Sequence, residues 1–328
     1  MGNVCQAAAG QAPARQAALG AGLEESTPCT TVNKVCASGL KAAMLASQSL
    51  ALGHNDVMVA GGMESMSRVP FYLERKDPAY GGPKLLDGIV YDGLTDAYCG
   101  AHMGACTEQL AARLGVGRQD QDERPRREGL FKAELVPVTI KDKRGDSVVA
   151  DDEEYARTDV SRFGSLRPAF QKDGTITAAN ASTLNDGAAA LLLANSRGLE
   201  QNSSASKPLA RVVGYADAAT APADFGIAPA LAIPKLLQLC GGLSVADVAM
   251  WEINEAFSAV AIACQRNLNI PPERLNVHGG AVAIGHPIGM SGARILLHLA
   301  CSLRPGERGV AAICNGGGGA SAMMIERL

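Results

Sequence analysis

No two cysteines in this chain are spaced as CxxC and no histidines gather beside them, so the pattern of a structural zinc site is missing. The nine cysteines are an odd, widely spread set, which fits free thiols in a reducing compartment better than a disulfide framework. Apolar runs stay well short of the ~20 residues that cross a bilayer, and no membrane partner is expected. Positive charge is not in excess: 30 Lys and Arg against 33 Asp and Glu leave −3, so no nucleic-acid partner is expected either. A ligand carrying one nucleotide would need only a few local cations and would leave no mark on that balance. Met1-Gly2-Asn3-Val4-Cys5-Gln6 shows neither a secretory nor a transit pattern, and Gln6 stands where a myristoylation signal needs Ser or Thr. What is present is 328 residues, 47% of them hydrophobic, enough for two domains or one large duplicated core.

Four segments carry the residue types of covalent chemistry. Near the end, Cys314-Asn315-Gly316-Gly317-Gly318-Gly319 follows the apolar run Val310-Ala311-Ala312-Ile313, which puts a thiol at the mouth of a strand where glycine backbone N–H groups can approach a substrate oxygen. Cys36, in Asn33-Lys34-Val35-Cys36-Ala37-Ser38-Gly39, precedes a helix whose Leu40, Ala43 and Met44 recur at helical spacing. The helix dipole there is expected to lower the thiol's pKa and favour a nucleophile. His286, between Gly285 and Pro287, is the best candidate base. Asn254, in Trp251-Glu252-Ile253-Asn254-Glu255-Ala256-Phe257, ends an apolar segment and reads by itself as an ordinary helix N-cap.

The chain also repeats itself. Ser38, Gly39, Lys41, Ser49, Leu50, Gly53 and Val57 reappear without a gap as Ser291, Gly292, Arg294, Ser302, Leu303, Gly306 and Val310. In each copy a helix leads to an apolar strand, with glycines expected to start and end the helix, and this points to α/β layers. Cys36 falls opposite Gly289 and Cys314 opposite Gly61, so the two thiols could meet only where the two halves face each other.

Taken with Gly61-Gly62-Met63-Glu64-Ser65-Met66-Ser67, His102-Met103-Gly104 and Asn180-Ala181-Ser182-Thr183-Leu184-Asn185-Asp186-Gly187, these segments resemble the thiolase family over nearly the whole chain. Within it they are most similar to acetyl-CoA acetyltransferases of the mitochondrial, potassium-responsive type. The resemblance implies duplicated βαβαβαββ halves in an α-β-α-β-α stack with an inserted loop domain. The N-terminal half would comprise 1–66 and 181–200, the loop domain 67–180, and the C-terminal half 207–328. It implies reversible Claisen condensation of two acetyl-CoA to acetoacetyl-CoA, and thiolysis of short 3-ketoacyl-CoA, through an acetyl-cysteine. Cys36 would be the nucleophile, His286 its base and Cys314 the acid/base at the carbanion. The N–H groups of Cys36 and Gly316 would bind one oxyanion, and His286 with a water on Asn254 the other. No metal or redox cofactor would take part in the chemistry.

Coenzyme A itself would be covered by the loop domain, with Arg157, Thr158, Asp159 and Arg162 at the nucleotide, Ser182 at the pantetheine, and His102 and Met103 at the thioester end. Arginine's planar fork suits phosphate. Potassium, if held, would lie on the carbonyls of Ala178, Ala179, Ala181 and Val282. The tyrosine that completes that site in the family has no counterpart, because the stretch from Gln119 to Phe131 is shorter here by nearly three helical turns. The run Asp151-Asp152-Glu153-Glu154 reads as a solvated face. Val69 through Lys84 matches the family's tetramer loop, which implies a homotetramer in the mitochondrion, or alternatively the cytoplasm.

Family members begin several tens of residues earlier, so the first half is expected to be incomplete, with apolar strand faces exposed. A truncated gene or splice product is one expectation. The other functional readings are a 3-ketoacyl-CoA thiolase of broader chain length and a catalytically impaired chain that acts only as a subunit partner. Asp224-Phe225-Gly226 keeps the phenylalanine typical of the short-chain subfamily but replaces the following proline. A β-ketoacyl synthase shares the fold but would need two histidines with one cysteine, and lacks the Cys-Asn-Gly loop.

Overall fold

The computed structural model describes residues 1–77, 80–123, 130–157, 159–202 and 207–328. Its backbone begins with a short helix, α1 (Pro13–Gly20), followed by α2 (Ser38–Ala51), β1 (Val57–Ser65) and α3 (Met103–Arg113). After a long irregular stretch come β2 (Asp186–Ala194), β3 (Ala210–Ala219), α4 (Ala228–Leu239), β4 (Met250–Ile253) and α5 (Ser258–Leu268). The chain ends with the single turn α6 (Ala281–Ile284), α7 (Ser291–Ser302), β5 (Arg308–Asn315) and β6 (Gly319–Arg327).

The α/β layering expected from the sequence is present. Strands β3, β6, β5 and β4 form one sheet in that order, antiparallel except for the parallel pair β4–β5, and β1 and β2 form an antiparallel pair. Alternation along β5 explains how the larger sheet is buried on both sides. Val310 and Ala312 face the core built with α4, α5 and Trp251, whereas Ala311 and Ile313 face the core built with α2 and α7. Helices α2 and α7 thus form a layer between the two sheets. The far face of the β1–β2 pair exposes Val57, Val59 and Leu192.

The sequence repeat appears as the crossing of α2 and α7. A Cβ on Gly39 would sit 2.8 Å from the backbone nitrogen of Ala293, and one on Gly292 would sit 2.6 Å from that of Leu40. These repeat-equivalent glycines therefore lie inside the first turns and allow two backbones to touch, rather than starting the helices as expected from sequence. Gly53, at φ 71°, follows the end of α2 in the left-handed conformation that closes helices. Gly306 lies farther beyond α7, at φ 82°, in the turn to β5.

The region from 67 to 180 carries only short elements, including the antiparallel pairs Phe71–Tyr72 with Leu86–Asp87 and Val138–Ile140 with Ser147–Val149. One part of it is fixed on α7 by buried charges. Glu134 accepts a 2.6 Å bond from Nδ1 of His298, whose Nε2 lies 3.0 Å from His278, and the Arg294 guanidinium stands over the Phe131 ring. Nearby Glu252 is pushed up to about 7, chiefly by burial. The acidic run is not wholly solvated: Asp152 turns inward and burial raises its pKa, against the pull of Arg294.

Candidate active site

Cys36 lies on a strained loop rather than in a helix. Val35, just before it, has φ 48°, a left-handed conformation that a β-branched side chain strongly disfavours. Three local bonds hold it: Val35 N–H donates to Asn33 Oδ1 at 2.9 Å, Ser38 Oγ donates to the Val35 carbonyl at 2.6 Å, and Lys34 N–H donates to Ser38 Oγ at 2.8 Å. Bonds between residues distant in sequence tie the loop to β3 and β6. Lys34 and Lys41 bind the two oxygens of Asp217 at 2.5 and 2.6 Å, and Lys34 also reaches Ser321 at 2.8 Å.

Burial acts to raise the Asp217 carboxyl, but the hydrogen bonds from Lys34, Lys41 and Ser321 outweigh it and hold the pKa at about 2. Between that value and the ~3.9 of an unfolded aspartate, the folded state binds fewer protons than the unfolded. The stabilisation is therefore present above ~3.9 and lost as pH falls through about 2. Asp217→Asn is expected to lower Tm at neutral pH, with the gap to wild type narrowing as pH approaches 2. Thermal melts across that range would show it, and a gap independent of pH would contradict the assignment.

The Cys36 sulfur packs beside Val4, Cys5, Met66 and Ile288 and accepts from the N–H groups of Gly316 and of Cys36 itself. The helix dipole was expected to lower its pKa. Burial dominates instead and pushes it up to about 11, with the two N–H groups only partly offsetting the loss of water. At neutral pH the resting nucleophile is a thiol and needs a base.

His286 is buried, and burial, helped by Arg294, lowers its pKa to about 4, so the ring is neutral near pH 7. Its Nδ1 lies 2.7 Å from Ser291 Oγ, and that hydroxyl donates to the Pro287 carbonyl at 2.9 Å. The hydroxyl proton is committed, so Ser291 accepts from Nδ1–H and leaves a lone pair on Nε2, the tautomer a base needs. Nε2 lies 3.5 Å from Nδ2 of Asn254. Asn254 is not an N-cap. Helix α5 starts at Ser258, whereas the Asn254 backbone continues β4 by donating to Ala312 at 3.0 Å. Its Oδ1 is buried without a partner among the described residues and is free to accept from a water.

Cys314 sits near the end of β5, fully buried, and burial with the nearby Cys36 raises its pKa well above the ordinary thiol value. The β5–β6 turn needs φ 83° at Gly317 and φ 81° at Gly318. Met103 packs with Cys314, Phe225 and Phe257, and its methyl comes close to Gly316. His102 caps α3 through a 3.0 Å bond from Gly104 N–H and stacks on Phe170 with centroids 4.8 Å apart. The two thiols and the Gly316 N–H are thus brought together, and the loop that carries the neutral His286 joins them through Ile288, which packs in the cluster beside Cys36.

Of the other sequence candidates, Ala181 packs against the cluster that holds Cys314 and Met103, and Ser182 bonds to Ala256 of that cluster. Arg157 is exposed and pairs with Glu153 at 2.6 Å, Asp159 caps the turn Val160–Ser165 by accepting from Ser161, and Arg162 is exposed. Thr158 lies outside the described residues, as do 124–129 in the shortened segment. Ser182 donates to the Ala256 carbonyl at 2.9 Å. Ala178 is exposed, Ala179 and Val282 are buried, and Ala181 bridges to Phe257.

Sequence reasoning missed three supports. Glu64 accepts from the N–H groups of Val4, Cys5 and Gly289 at 2.9–3.1 Å and from Asn3 Nδ2 at 3.0 Å, joining the first residues to the loop after His286. The Lys34–Asp217–Lys41 cluster spans 183 positions and leaves no local pattern. Ser291 was visible in the repeat as the partner of Ser38. In each copy this serine, at the start of the helix, bonds back to a loop carbonyl next to the reactive residue of that copy, that of Val35 before Cys36 in one and that of Pro287 after His286 in the other.

The family models described as "Thiolase, N-terminal domain" and "Thiolase, C-terminal domain" match residues 1–197 and 206–327. The chain is 57% identical over 340 residues to an acetyl-CoA acetyltransferase, mitochondrial, of Mus musculus, covering 100% of this chain and 80% of that protein. It is 55% identical to the Homo sapiens protein of the same name, covering 100% and 79%. Among solved structures, the Acat5 thiolase of Ascaris suum in complex with coenzyme A superposes with a TM-score of 0.92 at 43% identity, covering 100% of this chain and 86% of that one. Human mitochondrial 3-ketoacyl-CoA thiolase gives 0.91 at 33% identity, with the same coverage.

Proposed function

Because the chain belongs to the thiolase family, we propose that it is an acyltransferase, an acetyl-CoA C-acetyltransferase that condenses two acetyl-CoA and cleaves acetoacetyl-CoA with coenzyme A. The observation that carries this reading is the Cys36 thiol on the Gly316 N–H with the buried Cys314 thiol near it, and a neutral His286 two residues before Ile288, which packs in the same cluster as Cys36. In thiolysis, His286 takes the Cys36 proton and the sulfur attacks the 3-keto carbon. The resulting oxyanion lies on the Cys36 and Gly316 N–H groups. The C2–C3 bond breaks, and the departing acetyl-CoA carbanion takes a proton from Cys314. The proton held on His286 passes to the Cys314 thiolate, and the freed imidazole takes the thiol proton of coenzyme A as that sulfur displaces the acetyl group from Cys36, then returns the proton to the Cys36 sulfur.

Phe225, buried with Met103 and Cys314, narrows the acyl end and favours short chains over the broader specificity of a 3-ketoacyl-CoA thiolase. In this reading 67–180 covers coenzyme A, with Arg157, Thr158, Asp159 and Arg162 on the nucleotide, Ser182 on the pantetheine and His102 with Met103 at the thioester. The carbonyls of Ala178, Ala179, Ala181 and Val282 are neutral oxygen donors suited to a potassium ion, which would stiffen the pantetheine site without entering the chemistry. Val69–Lys84 exposes Phe71, Leu73 and Tyr80, and we assign it to tetramer contacts that light scattering would detect. The mitochondrion is the compartment of the named relatives and is proposed here too.

The test is thiolysis of acetoacetyl-CoA by free coenzyme A, against a longer 3-ketoacyl-CoA and with and without potassium. A folded chain without activity on either substrate would favour a non-catalytic partner subunit. Ser291→Ala is expected to lower kcat by about 10- to 100-fold with little change in KM, because the ring loses the bond that fixes its tautomer. Ser291→Thr, which keeps the hydroxyl, should recover much of that loss. Equal losses in both variants would count against a tautomer role.

A further inference from the structure

Two thiols without a part in the proposed catalytic chemistry meet in the turn that enters α3, Cys106 lying in the apolar cluster that also holds Met103 and Cys314. Cys99 is exposed, Cys106 is buried in the first turns of the helix, and their side chains lie within hydrogen-bonding reach of each other. The turn between them is closely closed. Thr95 bridges to His102, Asp96 N–H donates to the Ala101 carbonyl at 2.8 Å, and Gly100 N–H donates to the Asp96 carbonyl at 2.8 Å. The Asp96 carboxylate accepts from Cys99 N–H at 2.8 Å and also from the Cys99 thiol. Backbone geometry thus holds one accessible sulfur against one sheltered sulfur, with a carboxylate beside the accessible one. Neither thiol has a part in the carbon–carbon chemistry.

We propose that Cys99 and Cys106 are a reversible dithiol–disulfide pair that responds to peroxides and clamps the entrance to α3. Cys99 is the sulfur that a peroxide can reach. Its thiol gives a proton to Asp96 or solvent as the sulfur attacks the O–O bond, so Cys99 becomes a sulfenic acid and one water leaves. The Cys106 sulfur then displaces the sulfenic hydroxyl, which departs with the Cys106 proton as a second water. Two thiols and one hydrogen peroxide thereby yield one disulfide and two waters, the peroxide taking both electrons. A thiol such as dithiothreitol returns the pair by exchange. Burial and the neighbouring Cys99 push Cys106 up to about 11, so it stays protonated until a sulfenic acid forms beside it.

The consequence for the site rests on the proposed thiolase reading. His102 and Met103 lie between the two sulfurs in sequence, and Met103 packs against Cys314. A bond across this turn fixes the start of α3 and shifts the wall on which the thioester end would lie. Oxidation is therefore expected to lower thiolysis several-fold, and reduction to restore it.

The chemistry is tested independently of activity in a Cys36→Ser background, which removes the reactive thiol of the main site. Hydrogen peroxide is added, and a non-reducing peptide map is read by mass spectrometry. The expected product is a Cys99–Cys106 linked peptide pair, two hydrogens lighter than its parts and separated by dithiothreitol. Cys99 consumed to sulfinic or sulfonic acid without linkage, or linked to another cysteine, would overturn the proposal. In the wild-type background, Cys99→Ser is expected to retain thiolysis within about twofold before oxidation. After peroxide it should lose several-fold less reversible activity than wild type. Equal reversible losses in both would show that the pair has no effect on the site.

Discussion

Cys36→Ala is expected to lower thiolysis of acetoacetyl-CoA by ~10⁴-fold or more, because it removes the atom to which the acetyl group is transferred and no neighbouring group replaces it. Mass spectrometry of intact protein mixed with acetyl-CoA should show one added acetyl group on wild type and none on the variant. The fold should survive, since Cys36 is only partly buried and its neighbours Val4, Met66 and Ile288 pack mainly on one another. Matching circular dichroism and a Tm within a few degrees would separate loss of chemistry from loss of structure. The position of the wild-type thiol makes a second readout. With the pKa pushed up to about 11 by burial, the rate of Cys36 alkylation by iodoacetamide in the free enzyme should keep rising with pH through the alkaline range. A plateau already reached at pH 6 would instead show a preformed thiolate–imidazolium pair. Retained acetylation in Cys36→Ala would remove Cys36 from the mechanism altogether.

Much of this site was legible in the sequence because its chemistry sits in short segments rich in glycine. The turn after Cys314 needs left-handed backbone at Gly317 and Gly318, and the α2–α7 crossing needs Gly39 and Gly292, so both leave a residue type in the chain that signals close backbone. The repeat fixed the pairing of helix and strand and implied that the two thiols meet between halves. What could not be read was energetic. Cys36 follows the rule for a helix N-terminus in position, yet loss of water outweighs the dipole and reverses the direction of its pKa shift. Nor did the sequence reveal the left-handed Val35, since valine is among the residues least suited to it; only Asn33, Ser38 and the Lys34–Asp217 contact make it tenable. Taken alone, Asn254 reads as a cap because only four residues separate the strand end at Ile253 from the helix start at Ser258, and a local pattern cannot tell which one its side chain serves. Asp152 likewise looked solvated within an acidic run, and only the fold places Arg294 near it.

Cys314→Ala is expected to divide the reaction into its two halves. The acetyl exchange between acetyl-CoA and coenzyme A uses Cys36 and His286 alone, and should persist within about tenfold of wild type. Making or breaking the carbon–carbon bond requires a proton at the α-carbon, and the buried Cys314 thiol, with its pKa raised well above the ordinary value, is suited to hold that proton at neutral pH. Acetoacetyl-CoA thiolysis should therefore fall by ~10³-fold or more, and exchange of the α-hydrogens of acetyl-CoA with deuterated solvent should fall with it. The two losses should match, because both report the same proton transfer. Alanine leaves a small gap beside Met103 and Phe257, so Cys314→Ser, which nearly preserves volume, is the control for packing. Serine's hydroxyl is a far weaker acid than a thiol, and it should not restore the carbon–carbon step even where it restores Tm. If acetyl exchange fell as far as thiolysis in both variants, Cys314 would be acting on the Cys36 half-reaction, and the division of labour between the two thiols would have to be reversed or abandoned.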